Sequence, residues 1–176
     1  NFAEMMYTLG QYKELYGEGS EEYNLFSKEV LNTVWRNKAV GELYEPGSTF
    51  KIITSSMALE ENLITPDTPF SCITPFRVEG VPIRCHKYGG HGTAAFRRQL
   101  QQSCNPTLIQ VAQLIGKENF YKYFEAFGYS STTGIDLPAE AAPIYHAYSG
   151  FNAVELATYS FGQTFKITPI QQITAI

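Results

Sequence analysis

The sequence YEPGSTFKIITSSMALEE, residues 44–61, predicts the central element of this 176-residue chain. Pro46 and Gly47 break the preceding segment, and the apolar residues that follow recur with helical spacing. A helix that is apolar nearly all round lies inside a domain, so we predict a buried helix that begins at Ser48. An unpaired ammonium group is costly to bury, so Lys51, one turn after the serine, needs an explanation.

Ser48 and Lys51 are placed to act together. Three residues along a helix correspond to a rotation of about 300°, which puts both side chains on one face with Cβ atoms roughly 5–6 Å apart. A serine hydroxyl is a weak nucleophile until a base accepts its proton. Burial among Phe50, Ile52 and Ile53 would lower the pKa of the lysine and suit it to that task. We therefore predict that the serine is a nucleophile and the lysine its base; the alternative is a capped helix with a solvated lysine.

The sequence QQSCNP, residues 101–106, carries a second pair of polar side chains. Ser103 and Asn105 flank Cys104 where one predicted helix ends and Pro106 opens the next. A hydroxyl and an amide two residues apart in a tight turn can point into one cleft. We predict that the serine relays a proton between the buried lysine and a leaving amine, and that the asparagine contacts substrate and helps hold the lysine. The alternative is that both residues only cap helices.

The two motifs together resemble the active-site signature of penicillin-binding proteins and class A β-lactamases. Five segments resemble, in family order, successive blocks of the class B high-molecular-weight penicillin-binding proteins: NKAVGELYEPGSTFKIIT, GGHGT, QQSCNPTLIQVAQLIG, FGYSSTTGIDLPAE and SFGQTFKITPIQ. The resemblance runs from about Trp35 to the end of the chain. We therefore expect residues 1–176 to be a partial transpeptidase domain, in which the N-terminal helices of residues 1–34 are not recognised.

The resemblance implies a serine-type D,D-transpeptidase that cross-links peptidoglycan stem peptides. Ser48 would attack the bond between the two D-alanines, and an amino group of a neighbouring stem would take the acyl chain. Lys51 would be the base for acylation, Ser103 the proton relay and Asn105 a contact to the substrate amide. β-Lactam antibiotics would acylate the same serine, and its backbone N–H would form half of the oxyanion hole. No cofactor is implied.

The implied fold is α+β, that of the penicillin-binding-protein and β-lactamase-like transpeptidases. Helical patterns dominate this sequence, so we expect mostly the helical subdomain, with the main sheet largely absent. The run RVEGVPIRC predicts a small β-hairpin around Glu79 and Gly80.

Further helical segments are predicted from apolar periodicity and capping residues. The apolar faces of the first two helices include Phe2 and Val34, and Ser20 caps the second. Another helix is expected from Thr93 through Ser103, where the threonine would be the cap. A last helix opens at the Thr-Pro pair of residues 168–169.

One element of the family signature, Lys-Thr-Gly, is not found in the sequence. Lys166 is followed by Ile-Thr-Pro, and Thr133-Gly134 has no lysine before it. In the family this element lies on a sheet strand downstream of the SFGQ block. Because the chain opens on Asn1 without a methionine and stops within a helical pattern, we interpret it as a piece of something longer. We expect the piece alone to be weakly active or inactive.

Composition and charge narrow the possible partners and location. Hydrophobic residues make up 44% of the chain, which suffices for a core, and the net charge of -4 gives no reason to expect nucleic acid. No apolar run is long enough to cross a bilayer, and no signal peptide is visible. The resemblance implies the extracytoplasmic face of the bacterial plasma membrane, with an anchor outside this sequence. It also implies a glycosyltransferase of cell-wall synthesis as a partner.

The three cysteines, Cys72, Cys85 and Cys104, form a poor disulfide framework because their number is odd. A redox pair of Cys85 with Cys104 would distort the Ser-Cys-Asn turn. A pair of Cys72 with Cys85 would instead close the predicted hairpin. The third interpretation is a set of small buried thiols.

Three residues suggest a metal site but do not complete one. Cys85, His86 and His91 lie close in sequence, but a closed zinc site needs four ligands and a fourth is not evident. We therefore predict a glycine-rich loop whose histidines form hydrogen bonds, and no metal.

Two other functions remain open on the same fold. A β-lactamase needs a group that activates the deacylating water, and Glu140 is the only candidate. A β-lactam sensor would bind the drug without turnover. A fluorescent penicillin separates these, because a stable label indicates a transpeptidase or sensor and rapid loss indicates a β-lactamase.

Overall fold

The structure, a computed structural model, describes residues 2–176 apart from the side chains of residues 2 and 34. The predicted places of Phe2 and Val34 on apolar helix faces therefore lie outside the described residues. The chain divides into two compact units; the first ends at Lys38 and the second is Ala39–Ile176.

The first unit contains two sequential helices, α1 (Phe2–Tyr16) and α2 (Glu21–Trp35). Both helices agree with the periodicity of the sequence. Ser20 caps α2 as predicted, since its side chain accepts a backbone N–H from the first turn of the helix. The rings of Tyr12 and Phe26 stack with their centroids 3.9 Å apart, which joins the two helices.

The remaining elements surround one central helix. The helices are α3 (Lys38–Gly41), a 3-10 turn (Gly47–Phe50), α4 (Lys51–Glu60), α5 (Phe96–Gln101), α6 (Asn105–Ile115), α7 (Lys117–Ala126), a second 3-10 turn (Tyr148–Gly150), α8 (Ala153–Tyr159) and α9 (Pro169–Ala175). The strands are β1 (Pro69–Cys72), β2 (Phe76–Val78), β3 (Val81–Ile83) and β4 (Gly92–Ala95). β1 pairs antiparallel with β4, and β2 with β3, so the described residues contain two small two-stranded sheets. The predicted hairpin is confirmed as β2–β3.

The central helix α4 carries the core of the second unit. Phe50, just before its first residue, is fully buried and meets the rings of Tyr129 and Phe165 edge-on at 5.0 and 4.9 Å. Ile53 is also buried, which confirms that the helix lies inside the domain. The helix is not buried all round, however, because the side chain of Ile52 is 49% exposed. That isoleucine therefore does not help to bury Lys51, contrary to the expectation.

The helix predicted from Thr93 through Ser103 is wrong at both ends. Residues 92–95 form strand β4 because they pair with β1, with Ala94 opposite the buried Phe70. This partner is distant in sequence, so a local pattern does not reveal it. The helix begins only at the residue after the strand and ends at Gln101, which leaves Ser103 in a turn.

No described helix is both long enough and apolar enough to cross a membrane.

Candidate active site

Ser48 lies in the 3-10 turn that leads into α4. A backbone hydrogen bond to a segment far along the chain holds this turn. The N–H of Gly47 donates to the carbonyl of Gly162 at 2.8 Å. Gly162 has a φ of +79°, and a Cβ at this position would lie 2.2 Å from the Gly47 carbonyl oxygen. Only glycine permits this approach. The N–H of Gly162 bonds to the carbonyl of Tyr159 at 2.9 Å, and the sequence does not predict its contact with the serine turn.

Lys51 is the first residue of α4, and its side chain is only 2% exposed. Its Nζ donates to the backbone carbonyl of Ser103 at 2.7 Å and to the Ser103 hydroxyl at 2.8 Å. A third bond goes to Oδ1 of Asn105 at 2.7 Å. An ammonium group has three donors, so every one of them is satisfied. The alternative of a solvated lysine is therefore wrong.

Ser103 joins the lysine to the serine of the first motif. Its Oγ lies 3.0 Å from the Oγ of Ser48 and 2.8 Å from the Nζ of Lys51, within hydrogen-bonding distance of both. The residue has a φ of +53°, a left-handed conformation that is uncommon for a serine. Its N–H donates to the carbonyl of Leu100 at 2.8 Å, which holds the turn. The Ser103 hydroxyl is thus held between the Ser48 hydroxyl and the Lys51 amine by a strained but hydrogen-bonded backbone.

Asn105 is the first residue of α6, and its side chain does not cap that helix. The N-cap is Cys104, which makes no side-chain cap bond. Because Oδ1 of the asparagine accepts from the lysine, its Nδ2 amide group has hydrogens left to donate to a ligand. The interpretation of Ser103 and Asn105 as mere caps is therefore wrong for this turn.

The electrostatics of the site favour proton transfer at Lys51. Burial lowers the pKa of the amine to about 8, and the nearby Cys104 and Cys85 oppose that change in part. A lysine with such a pKa is partly neutral near neutral pH and then has a lone pair. The neutral amine can accept the proton of the Ser103 hydroxyl as that hydroxyl accepts the proton of Ser48.

A second group of reactive side chains adjoins the Ser-Cys-Asn turn. The thiols of Cys72, Cys85 and Cys104 are free and buried. Their Sγ atoms and a ring nitrogen of His91 all lie within 4.8 Å of one another. The premise that a fourth donor is not evident is therefore wrong, because two of the cysteines come from segments distant in sequence. His86, which the sequence also suggests as a metal ligand, is exposed and has its Nδ1 3.8 Å from Cys85 Sγ.

Both suggested disulfide pairs, Cys85 with Cys104 and Cys72 with Cys85, stay predictions. Each pair of sulfur atoms lies within the same 4.8 Å limit. Burial raises the pKa of the Cys72 thiol to about 12, with a further contribution from Cys104, so a neutral thiol is favoured there in the absence of a ligand.

Glu140, the candidate for water activation, is bonded to its own loop. Its carboxylate accepts from the N–H and hydroxyl of Thr133 at 2.6 and 2.7 Å and from the N–H of Gly134 at 3.0 Å. Partial burial raises its pKa, but these hydrogen bonds outweigh that effect and bring it below the usual value. The carboxylate of Glu140 thus holds its own loop together.

A family model described as the penicillin binding protein transpeptidase domain matches residues 10–176. Stage V sporulation protein D of Bacillus subtilis is 42% identical over 156 residues, which cover 88% of this chain and 24% of that protein. Peptidoglycan D,D-transpeptidase FtsI of Escherichia coli is 26% identical over 136 residues, covering 77% and 23%. The chain spans about a quarter of the length of these curated relatives.

Solved structures are similar over most of the chain. The crystal structure of penicillin binding protein 3 from Mycobacterium tuberculosis, complexed with ampicillin, matches with a TM-score of 0.72 and 27% identity. The match covers 77% of this chain and 30% of that one.

Proposed function

This chain belongs to the penicillin-binding protein transpeptidase family, and on that basis we propose that it carries the nucleophile of a serine-type peptidoglycan D,D-transpeptidase. The observation that carries the proposal is the buried amine of Lys51. It is bonded to the Ser103 hydroxyl, which lies 3.0 Å from the hydroxyl of Ser48. A capped surface helix needs none of these contacts.

Acylation begins when Ser48 Oγ attacks the carbonyl carbon between the two D-alanines of a stem peptide. The proton of Ser48 passes to Ser103 as the proton of Ser103 passes to the neutral Lys51. The backbone N–H of Ser48, at the start of the helical segment, donates to the oxyanion that forms. When the C–N bond breaks, the proton returns along the same path to the departing D-alanine amine. The product is an ester between the stem peptide and the serine.

Transfer reverses these roles. The amino group of a neighbouring stem attacks the ester carbon, its proton passes to Lys51 by way of Ser103, and the serine oxygen leaves and is reprotonated. The amide of Asn105 holds the backbone of the stem peptide during both steps. The same attack on the carbonyl of a strained β-lactam amide breaks its C–N bond, so β-lactams acylate the same oxygen.

The place of action follows from the substrate. Peptidoglycan is assembled outside the plasma membrane, so the protein works on the extracytoplasmic face and is anchored by a segment outside this sequence. A glycosyltransferase that makes the glycan strands is its partner. The hydrolase alternative is not favoured, because the carboxylate of Glu140 is engaged by Thr133 and Gly134.

Labelling of the whole protein with a fluorescent penicillin tests the proposal. Ser48→Ala removes the attacking oxygen, so we expect covalent labelling to fall to background. Ser56→Ala is the matched control, because this serine lies on the same helix but is exposed and bonds only to the carbonyl of Ile52, at 2.9 Å. Labelling of Ser48→Ala at the wild-type rate would refute the assignment, and rapid loss of label from the wild type would favour a β-lactamase.

A further inference from the structure

Three cysteines and one histidine meet beside the active-site turn at distances that suit a metal ion. The Sγ atoms of Cys72 and Cys85 lie 3.5 and 3.4 Å from Nδ1 of His91. Cys104 completes the group, and all four donor atoms lie within 4.8 Å of one another. The three cysteines are buried, with Cys104 fully so.

The spacing between His91 Nδ1 and the two sulfur atoms is that of donors in a tetrahedral zinc site. Zinc binds thiolate sulfur at about 2.3 Å and imidazole nitrogen at about 2.0–2.1 Å. At the tetrahedral angle, two such donors stand about 3.5–3.6 Å apart when one is sulfur and one nitrogen, and about 3.8 Å when both are sulfur. The observed sulfur-to-nitrogen distances agree with this edge length to within about 0.2 Å.

The backbone around the group brings the donors together. Cys72 is the last residue of β1 and pairs with Gly92, so it lies beside His91 across the small sheet. Gly90 has a φ of +80°, and a Cβ there would lie 2.3 Å from the carbonyl oxygen of Cys72. Only glycine allows the loop to approach β1 so closely and to bring the imidazole next to the thiol.

The other two ligands are fixed independently. Cys85 follows strand β3, and its N–H donates to the hydroxyl of Thr74 at 3.0 Å. Cys104 is the N-cap residue of α6, and its N–H donates to the carbonyl of Gln99 at 3.0 Å. The four donors thus come from four separate segments of backbone that converge on one point.

We propose that Cys72, Cys85, His91 and Cys104 form a closed, four-coordinate site for Zn²⁺. Three thiolates and one neutral imidazole are a donor set of structural zinc sites, and soft sulfur ligands select against Mg²⁺ and Ca²⁺. On binding, the three thiols release their protons to solvent, and the site keeps a net charge of −1. A disulfide would use only two of the four converging donors. Zinc and a disulfide are therefore alternative uses of the same sulfur atoms.

Metal content and Co²⁺ spectroscopy test the site without any measurement of activity. The whole protein is purified under a non-thiol reductant, stripped with a chelator and titrated with Zn²⁺ or Co²⁺. We expect one tightly bound ion at this site, with the intense visible absorption of tetrahedral Co²⁺ and a sulfur-to-cobalt charge-transfer band. Zinc should also raise the thermal unfolding temperature. Failure to bind either ion while all three thiols remain reactive would overturn the proposal.

Variants locate the ion. Cys72→Ser and His91→Gln each remove one ligand and should weaken binding by at least about 100-fold, since even an outer-shell change costs 10–100-fold. His86→Gln is the matched control and should bind as the wild type does. Circular dichroism checks folding; if Cys72→Ser does not fold, the less buried His91 decides. Wild-type affinity in His91→Gln, or a Co²⁺ spectrum without thiolate bands, would refute the site.

Discussion

The amine of Lys51 can be buried because each of its donors has an acceptor. Two of these acceptors belong to Ser103 and the third to Asn105, so one short turn satisfies the whole group. Leaving a buried donor unpaired costs about 1–3 kcal/mol, and more for a charged group. The same burial lowers the pKa of the lysine to about 8. The hydrogen bonds that allow the amine to be buried therefore also favour its use as a base.

The pH dependence of acylation follows from that pKa. The base must be neutral to accept a proton, and Lys51 loses its charge as the pH rises through about 8. We therefore expect the second-order rate of penicillin acylation to rise between about pH 6 and pH 8 and to level off above. Ser48→Ala provides the background at each pH, and a rate that does not change over this range would contradict the assignment of the base.

Lys51→Arg separates charge from basicity. A guanidinium keeps the positive charge and the hydrogen-bond donors but does not release its proton in proteins. We expect acylation to fall by about 100-fold or more, the range typical of a lost general base. The rise of the rate with pH should also disappear in this variant. Wild-type kinetics with arginine would mean that the amine acts only as a fixed charge.

Local signals in the sequence are enough to single out the four polar residues of the site. Ser48 and Lys51 were found from their spacing, and Ser103 and Asn105 from a turn before a proline, because those signals are local. The structure brings the four residues together, and the proton relay through Ser103 stays a prediction. The sequence does not predict that Cys72 meets His91, since this contact depends on pairing between β1 and β4 and has no short spacing signature.

Contact between the turn before α4 and the segment after α8 holds the backbone next to Ser48. Gly162→Ala would place a Cβ 2.2 Å from the carbonyl oxygen of Gly47, so the backbone must move. We expect a loss of unfolding free energy greater than the roughly 1–2 kcal/mol of a left-handed alanine alone. Penicillin acylation should slow as well, because Ser48 follows the displaced glycine.

Gly128→Ala is the matched control for this change. Gly128 has a φ of +81° but nothing within 4 Å of its would-be Cβ, so it carries the conformational strain without the clash. We expect a loss of about 1–2 kcal/mol in denaturant unfolding and an unchanged acylation rate. Equal effects of the two substitutions on acylation would show that the contact does not position the nucleophile.

Helices were easier to predict than strands in this chain. Residues such as Ser20 and Thr168 mark helix starts through short-range capping, and both caps are present in the structure. The local sequence around Thr93 predicts a helix, but this segment pairs with β1, which lies more than twenty residues earlier. Long-range pairing overrode a weak local signal there.

The family and structural matches confirm the transpeptidase-type fold class expected from the sequence. The described residues are mainly helical with few strands, as expected for part of the helical subdomain. The family match begins at residue 10, while the second compact unit is Ala39–Ile176. The boundary suggested near residue 34 stays a prediction, as does the weak activity of the chain alone, which turnover of a D-Ala-D-Ala peptide would test.

Removal of residues 1–38 tests whether the second unit folds alone. The buried aromatic cluster of Phe50, Phe120, Phe124, Tyr129 and Phe165 lies entirely within that unit. We therefore expect the shortened chain to keep a cooperative thermal transition and the near-ultraviolet circular dichroism of packed aromatic rings. A broad, non-cooperative transition would show that the first two helices are needed for the core.

The bond between Gly47 and Gly162 also has a consequence for biosynthesis. Gly162 is translated 114 residues after Ser48, so this bond cannot form until most of this chain has been made. At typical rates of about 5–20 residues per second, that interval is roughly 6–23 s. The nascent polypeptide therefore passes through a period in which Ser48 has been made but the bond that holds its turn has not formed.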